Sequence, residues 1–281
     1  MVEKKVYKKE NSSEVVVITG AAGVLCSVIA RDFVRCGKKV ALVDVNEAST
    51  LALEKELSQL GTVKSYIASV LDKESLIIAQ ENITKDFGVC DILINGAGGN
   101  NVHATTSDEI FDPNLESDKD FFKLLESGVD FVFDLNFKGA FLTTQVFSKQ
   151  MALRGSGSII NISSMNAYQP LTKIPAYSAA KAAISNFTQW LAVYFAKAKL
   201  RVNAIAPGFF ATNQNKTLLF NPDGSLTPRS LKIISKTPMN RFGEPSELLG
   251  AIRFLTDDSQ SSFITGIVIP IDGGFSAYSG V

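Results

Sequence analysis

Histidine and cysteine are scarce in this sequence, which has one histidine, His103, and three cysteines among 281 residues. Cys26, Cys36, Cys90 and His103 show no spacing typical of metal ligands, so we expect no metal site. An odd number of cysteines in apolar surroundings favours free thiols in a reducing compartment over disulfides. His103 is better explained as a loop residue that forms hydrogen bonds than as a catalyst.

The sequence also lacks an excess of charge of either sign, since 28 Lys and Arg balance 28 Asp and Glu. No run of like charge stands out, and we therefore expect neither nucleic acid nor a membrane as the main partner. The charged start and the apolar stretch after it superficially resemble a signal peptide. Three glutamates in the charged part and two glycines in the apolar part disrupt that pattern. We expect a cytoplasmic protein with a flexible polar segment at residues 1–14.

Short apolar strands alternate with helical segments along the rest of the chain. The strand runs are rich in β-branched residues, and the segments between them are long enough for a crossover helix. This alternation predicts right-handed βαβ units and one α/β domain over residues 15–281, with a doubly wound parallel sheet of about seven strands. The predicted strands are Val15–Ile18, Val40–Val43, Val63–Ala68, Asp91–Ile94, Ser158–Ile162, Arg201–Ala206 and Ile267–Ile271.

Two connections in this pattern are longer than ordinary loops. Residues 100–118 follow the fourth strand, and the segment Pro207–Asn240, predicted to be irregular, follows the sixth. Long loops in compact domains are usually functional, and loops at the carboxyl ends of parallel strands line the ligand crevice. We therefore expect both connections at the substrate site. Helices are predicted for Asp120–Glu126 and Asp130–Met151, after the first of them.

A glycine-rich turn follows the first strand. Thr19 and Gly20 end the strand, Gly23 follows, and an apolar helical pattern begins at Val24. Glycines at such a turn let the backbone approach a pyrophosphate, which the N–H groups at the start of the helix then hold. Asp44 ends the second strand, where a carboxylate suits the ribose hydroxyls of NAD and repels the 2′-phosphate of NADP. The turn and Asp44 predict NAD as the cofactor; the alternative is that Asp44 only caps a loop.

Tyr177 and Lys181 form a second candidate site. Pro175 can start a helix there, and the apolar residues after it recur at helical spacing. On that helix the phenol and the ammonium lie one turn apart on one face. A nearby cation lowers the pKa of a phenol from its ordinary value of about 10, which would make Tyr177 a general acid or base. The same spacing also occurs in ordinary surface pairs, so the assignment depends on the surrounding motifs.

These motifs together resemble the short-chain dehydrogenase/reductase family over nearly the whole chain. The resemblance implies a Rossmann-like fold and an NAD-dependent oxidoreductase that acts on CH–OH groups. Its most specific part is the catalytic set Asn136, Ser164, Tyr177 and Lys181. The cofactor-binding residues that it implies are Gly20, Gly23, Val24, Leu25, Asp44, Asn95, Gly96, Ala97, Gly98, Tyr177, Lys181, Pro207, Gly208 and Thr212.

The resemblance also implies a role for each catalytic residue. Tyr177 would move the proton on the carbinol oxygen, and Ser164 would hold the same oxygen by a hydrogen bond. Lys181 would lower the pKa of the tyrosine and bind the nicotinamide ribose. Asn136 would hold a water that links Lys181 to solvent.

The chain departs from the family pattern at two places. Val24 and Cys26 stand where later glycines of the phosphate turn are usual. Ser69 stands where an acidic residue often holds the adenine, with Asp72 three positions further on. The altered turn and the loop segments near Asn101, among others, resemble the sugar-acid branch, which groups D-mannonate oxidoreductases (fructuronate reductases) with gluconate 5-dehydrogenases.

A polyhydroxylated, anionic substrate fits the amide side chains expected at the crevice, because amides both donate and accept hydrogen bonds. A substrate carboxylate would require a cationic partner, which Lys173 or Arg229 could supply. For Lys173, a solvated loop charge is the alternative. The predicted substrate-binding residues are Asn101, Asn166, Lys173 and Asn213.

The sequence thus predicts an NAD(H)-dependent oxidoreductase that interconverts a secondary alcohol and a ketone of a sugar acid, with D-mannonate and D-fructuronate as the leading pair. The alternatives are a gluconate 5-dehydrogenase or another polyol dehydrogenase and, more remotely, a dinucleotide-binding sensor without turnover. Exposed apolar rows that include Phe131, Trp190 and Tyr194 predict subunit contacts, and the resemblance implies a homotetramer.

Overall fold

Seven runs of apolar residues form one parallel sheet in the computed structural model, which describes residues 13–212 and 215–280. The strand order is β3-β2-β1-β4-β5-β6-β7, and every neighbouring pair is parallel. This architecture confirms the predicted doubly wound α/β fold. The strands are β1 Val15–Thr19, β2 Lys39–Asp44, β3 Val63–Ile67, β4 Ile92–Asn95, β5 Gly157–Ile162, β6 Leu200–Pro207 and β7 Val268–Ile271.

Helices cover both faces of this sheet. They are α1 Val24–Arg35, α2 Glu47–Leu57, α3 Lys73–Asp86, α4 Glu126–Phe133, α5 Gly139–Arg154, α6 Pro175–Tyr194, α7 Lys216–Leu219, α8 Pro228–Ser235, α9 Leu249–Thr256 and α10 Asp258–Ser261. One hydrophobic core lies between the sheet and α1, α2 and α9, and the other lies between the sheet and α3, α5 and α6.

Strand β1 shows why the strand sequences are apolar without interruption. Val15 and Val17 pack into the core beneath α3, α5 and α6, whereas Val16 and Ile18 pack into the core beneath α1, α2 and α9. Successive side chains of a strand point to opposite faces, and both faces are buried here. A half-exposed strand would have alternated apolar and polar residues instead.

The centre of the sheet sets the position of the crevice. Strands β1 and β4 are neighbours, and the helices that follow them pack on opposite faces. A crevice forms at the carboxyl ends of strands where the chain direction diverges in this way. The turns after β1 and β4 and the long connections after β4 and β6 all start at this edge.

Three predicted elements differ from the observed ones. The helix predicted for Asp120–Glu126 is wrong, because the Asp120 carboxylate accepts the N–H groups of Phe122 and Lys123 and caps only a short 3₁₀ turn. The helix predicted from Asp130 begins earlier, at Glu126, and continues to Arg154 through a π-helical turn at Asp134–Lys138. The connection after β6 is not wholly irregular, since it contains α7 and α8.

The amino-terminal boundary also shifts by one residue. Residues 1–12 of the expected flexible segment lie outside the described residues. Glu14 already belongs to the fold, because its carboxylate pairs with Lys38 and its carbonyl accepts the N–H of Lys39 at 3.0 Å.

A line of buried polar side chains crosses the core between the sheet and α6. The Asn95 amide donates to the Asn161 side-chain oxygen at 2.8 Å, and the Asn161 amide donates to the Thr188 hydroxyl at 2.8 Å. The Thr188 hydroxyl in turn donates to the carbonyl of Ile184 at 2.8 Å. Leaving a buried polar group without its partner costs more free energy than a typical hydrogen bond contributes. This line of hydrogen bonds therefore constrains how α6 packs on the sheet.

The variant Thr188→Val is expected to lower the free energy of unfolding by about 1–3 kcal/mol, because it leaves the buried Asn161 amide without its acceptor. Urea unfolding monitored by circular dichroism measures this. Thr143→Val is the matched control, since the Thr143 hydroxyl is buried and has no hydrogen-bond partner among the described residues. That control should be neutral or stabilising, and an equal loss in both variants would contradict the role assigned to the line.

Candidate active site

Tyr177, Ser164 and Lys181 meet where β5 ends and α6 begins. Pro175 is the first residue of α6, which places Tyr177 in its first turn. The Ser164 hydroxyl lies beside the Tyr177 phenol and lowers its pKa. The Lys181 ammonium lies 5.6 Å from the centre of the Tyr177 ring and donates to the carbonyl of Ile162, the last residue of β5, at 2.8 Å. The structure thus brings together three of the four predicted catalytic side chains.

Burial controls the ionisation of this group. It raises the pKa of the Tyr177 phenol above its ordinary value, and Ser164 offsets only part of that rise. Burial also lowers the pKa of Lys181 to about 8. In the chain alone, desolvation therefore sets the direction of the phenol pKa, and the effect expected of Lys181 stays a prediction. At neutral pH the phenol is a proton donor.

Asn136, the fourth predicted catalytic residue, lies in the π-helical turn and is 1% exposed. Its amide donates to the carbonyls of Gly99 at 2.7 Å and Val132 at 2.8 Å, and its oxygen accepts the N–H of Gly99 at 3.2 Å. A Cβ atom on Gly98 would lie 2.7 Å from the Asn136 oxygen and 3.1 Å from the Lys181 nitrogen. Asn136 therefore holds the chain after β4 against Lys181.

The turn after β1 lies directly against the turn after β4. Gly20 adopts φ +62°, and a Cβ atom there would lie 2.8 Å from the backbone of Ala97. Gly23 donates its N–H to the carbonyl of Gly20 at 3.0 Å and precedes α1. Among the residues that the structure describes, no side chain caps the start of α1, so the N–H groups of Val24 and Leu25 are available to an anion.

Thr19 is a site residue to which the sequence argument assigned no role. Its hydroxyl donates to the carbonyl of Ile94 at 3.4 Å and accepts the N–H of Gly96 at 3.2 Å. It thereby ties the two glycine turns together. A threonine directly before Gly20 at the end of a buried strand was the available signal.

Cys26 occupies space that a side chain at position 96 would need. A Cβ atom on Gly96 would collide with the Cys26 sulfur and would lie 2.8 Å from the carbonyl oxygen of Thr19. Burial raises the pKa of the Cys26 thiol to about 12, so the group stays protonated and packs as an apolar side chain. The larger residue in the phosphate turn is therefore accommodated by a glycine on the neighbouring strand.

Asp44, at the end of β2, faces the glycine turn. One carboxylate oxygen accepts the N–H of Ala22 at 3.0 Å, and the other accepts the N–H of Asn46 at 3.0 Å. These bonds fix the carboxylate beside the turn and leave lone pairs for further donors.

The other cofactor-binding candidates lie at the same edge of the sheet, with one qualification. The Asn95 amide donates to Thr144 at 2.9 Å and to Asn161 at 2.8 Å, so its side chain points into the core. Only the Asn95 backbone can face the crevice. Pro207 and Gly208 end β6 and begin its connection, and Thr212 donates its N–H to the Asn215 side chain at 2.8 Å.

Asp72, in the region expected to hold the adenine, caps α3 with one carboxylate oxygen. That oxygen accepts the N–H groups of Glu74 at 3.0 Å and Ser75 at 3.2 Å. The Ser69 hydroxyl accepts the N–H of Leu71 at 3.2 Å. Both side chains thus bind backbone N–H groups of their own segment.

The substrate-binding candidates are only partly brought together. Asn166 is 5% exposed and donates its N–H to the Ser164 hydroxyl at 3.3 Å, next to Tyr177. Lys173 precedes α6 in a left-handed conformation, with φ 73°. The Asn101 side chain instead caps its own turn by accepting the N–H of His103 at 2.8 Å. Asn213 lies outside the described residues.

The family model described as short chain dehydrogenase matches residues 14–221. This match covers more than half of the chain and includes all four catalytic candidates. The chain belongs to the short-chain dehydrogenase family. Its membership makes it an oxidoreductase.

Several individual short-chain dehydrogenases are similar to this chain over nearly its whole length. An uncharacterised oxidoreductase of Haemophilus influenzae is 55% identical over 96% of this chain and 95% of its own length. A Haemophilus crystal structure with bound NAD, provisionally named a D-mannonate oxidoreductase, is 54% identical, covers 97% of each chain and has a TM-score of 0.92. The 2-dehydro-3-deoxy-D-gluconate 5-dehydrogenase of Dickeya dadantii is 31% identical over 94% of this chain and 96% of its own.

Within residues 13–212 and 215–280, no three His, Cys, Asp or Glu side chains cluster in a way that could hold a metal ion. Over the same residues, every helix is too short or too polar to cross a membrane.

In this short-chain dehydrogenase, Gly98→Ala is expected to reduce turnover about 100-fold, because the added methyl displaces the Asn136 amide and the Lys181 ammonium from their places. The steady-state rate with a substrate identified as described below measures this effect. Gly250→Ala is the control, since a Cβ atom there meets nothing within 4 Å. Equal activity in both variants would show that the contacts around Gly98 do not matter.

Proposed function

We propose that this protein is an NAD(H)-dependent oxidoreductase that interconverts a secondary alcohol and a ketone of a sugar acid, with D-mannonate and D-fructuronate as the leading pair. The observation that carries the proposal is the meeting of Tyr177, Ser164 and Lys181 beside Asn136 at the carboxyl edge of the sheet. This arrangement suits proton transfer to and from a carbinol oxygen.

The residues at the crevice fit NAD. The uncapped start of α1 suits the pyrophosphate, and side chains at Gly20 and Gly96 would fill the space between the two turns. The Asp44 carboxylate suits the ribose hydroxyls and disfavours a 2′-phosphate. The NAD in the 54% identical structure supports the same choice. Bound NAD supplies or accepts a hydride at its nicotinamide ring.

Each catalytic side chain of this protein has a separate role in the proton transfer. The protonated Tyr177 phenol gives its proton to the oxygen of a ketone during reduction and takes it back during alcohol oxidation. The Ser164 hydroxyl holds the same oxygen and stabilises its developing charge. The Lys181 ammonium, held by the carbonyl of Ile162, keeps a positive charge beside the phenol. Asn136 keeps the chain after β4 in contact with that ammonium.

The sugar-acid substrate is supported by two lines of evidence. The buried Asn166 lies beside Ser164 and Lys173 lies just before α6, which provides an amide for hydroxyl groups and a cation for a carboxylate. The name of the 54% identical structure supports D-mannonate. The 31% identical Dickeya enzyme favours a second candidate, a gluconate 5-dehydrogenase activity, which uses the same chemistry on a different sugar acid.

We also propose that the chain functions as a homotetramer in the cytoplasm. Five aromatic rings from the π turn, α5 and α6 form a continuous row, within which Trp190 stacks on Tyr194 with ring centres 4.8 Å apart. Trp190 is 56% exposed and Tyr194 is 64% exposed, which is a large apolar surface for a monomer to leave in water. A second copy of the chain would bury it. The ring row consists of Phe137, Phe141, Phe187, Trp190 and Tyr194.

A substrate panel tests the proposed activity. Ketoaldonates, ketouronates and polyols are assayed by absorbance at about 340 nm with NADH, NADPH and their oxidised forms. We expect D-fructuronate reduction with NADH to be the fastest reaction, because Asp44 disfavours NADPH. Preference for NADPH would contradict the role of Asp44. Tight NADH binding without turnover of any compound would favour a sensor.

The variant Tyr177→Phe is expected to lose about 10²–10⁴ in turnover, because it removes the proton donor while keeping the ring. Binding of NADH, followed by fluorescence titration, should remain. The matched control is Tyr194→Phe, which removes a hydroxyl from the exposed side of the same helix. Normal turnover in Tyr177→Phe would remove this phenol from the mechanism.

A further inference from the structure

The connection after β4 runs from the catalytic residues to the segment that precedes α6. Ala104 is fully buried against Ala176 and Ala180 of α6, and Tyr177 packs against the same cluster. The N–H of Thr106 then donates to the carbonyl of Lys173 at 2.9 Å. This connection therefore passes beside Tyr177 and is hydrogen-bonded to Lys173, four residues before Tyr177.

The same connection then reaches α8, which belongs to the connection after β6. The Lys232 ammonium donates to both carboxylate oxygens of Glu109, at 2.9 and 3.2 Å. The charge of Lys173 acts on this carboxylate as well, since Lys232 and Lys173 both lower the pKa of Glu109. The connection after β4 thus contacts the connection after β5 at the Lys173 backbone and the connection after β6 at the Lys232 side chain. We call Glu109, Lys173 and Lys232 the Glu109 cluster.

The Glu109 cluster has an excess of positive charge. It contains two ammonium groups and one carboxylate, so its net charge favours an incoming anion. The ion pair is also exposed, with 69% of the Lys232 side chain and 43% of the Glu109 side chain accessible to solvent. Ion pairs this exposed contribute little to stability, and a competing carboxylate can therefore replace Glu109 at low cost.

We propose that Lys232 and Lys173 bind the carboxylate of an anionic sugar-acid substrate, and that Glu109 occupies this position until the substrate arrives. The inference rests on the proposed function and identifies the substrate's charge as what the cluster recognises. Lys173 lies four residues before Tyr177, and the proposal requires that one substrate molecule reach both the cluster and the Tyr177 phenol. A neutral polyol has no group that displaces Glu109.

Calorimetric titration of the NADH-loaded protein tests this inference without relying on turnover. The two ligands are D-mannonate and D-mannitol, which differ only in the carboxylate at one end. With NADH present, neither alcohol can be oxidised, so the measured affinity is that of binding alone. We expect the wild-type protein to bind D-mannonate at least about tenfold more tightly than D-mannitol.

Three single-residue variants test the roles of Lys232 and Glu109 separately. Lys232→Gln is expected to lose about tenfold in affinity for D-mannonate and to keep its affinity for D-mannitol. Glu109→Gln is expected to bind D-mannonate about threefold more tightly, because the competing carboxylate is gone. Lys236→Gln is the matched control, since it removes an exposed charge one turn further along and should change neither affinity.

The inference is overturned if Lys232→Gln binds D-mannonate as the wild type does, or if it loses both ligands equally. It is also overturned if the wild type does not prefer the anion. These results are independent of the proposed oxidoreductase activity, which the substrate panel and the turnover of Tyr177→Phe address separately. An active enzyme with an unchanged Lys232→Gln affinity would leave the chemistry standing and remove only the carboxylate site.

Discussion

The buried ammonium of Lys181 is the constraint around which the catalytic edge of this protein is built. At 4% exposure it loses most of its hydration, and burial lowers its pKa to about 8. A buried charge is tolerated only where donors and acceptors are fixed around it. The last carbonyl of β5, at Ile162, supplies the acceptor, and Asn136 holds the chain after β4 close by. The ammonium is therefore positioned by the end of a central strand and not by a mobile loop.

The rest of the fold keeps this edge rigid and narrow. Thr19 ties the turn after β1 to the turn after β4, and the Cys26 sulfur fills the space beside Gly96. The buried line from Asn95 to Thr188 fixes how α6, which carries Tyr177 and Lys181, packs on the sheet. The apolar faces of these helices alone would allow several packing positions, and the polar groups buried in the core select one of them.

The parts of the structure that follow from local chemistry could be predicted from the sequence. Strand runs buried on both faces and the helix started by Pro175 are properties of adjacent residues, and both are found. The π turn that holds Asn136 could not be predicted, because one extra residue in a helix hardly changes its apolar spacing. The rise in the pKa of Tyr177 could not be predicted either, since desolvation depends on residues distant in the chain. The contact between Glu109 and Lys232 joins positions 123 residues apart, and no local pattern marks it.

The state of the Tyr177 proton is the central claim of this account, and the pH dependence of ketone reduction measures it most directly. Because burial raises the phenol pKa above its ordinary value, Tyr177 remains a proton donor throughout the neutral range. The turnover number with saturating NADH should therefore stay level from about pH 6 upward. It should decline only above about 8, where Lys181 loses its proton. A tenfold fall in turnover between about pH 6 and 8 would mean that a group with a pKa near 7 gives the proton, and would contradict the account.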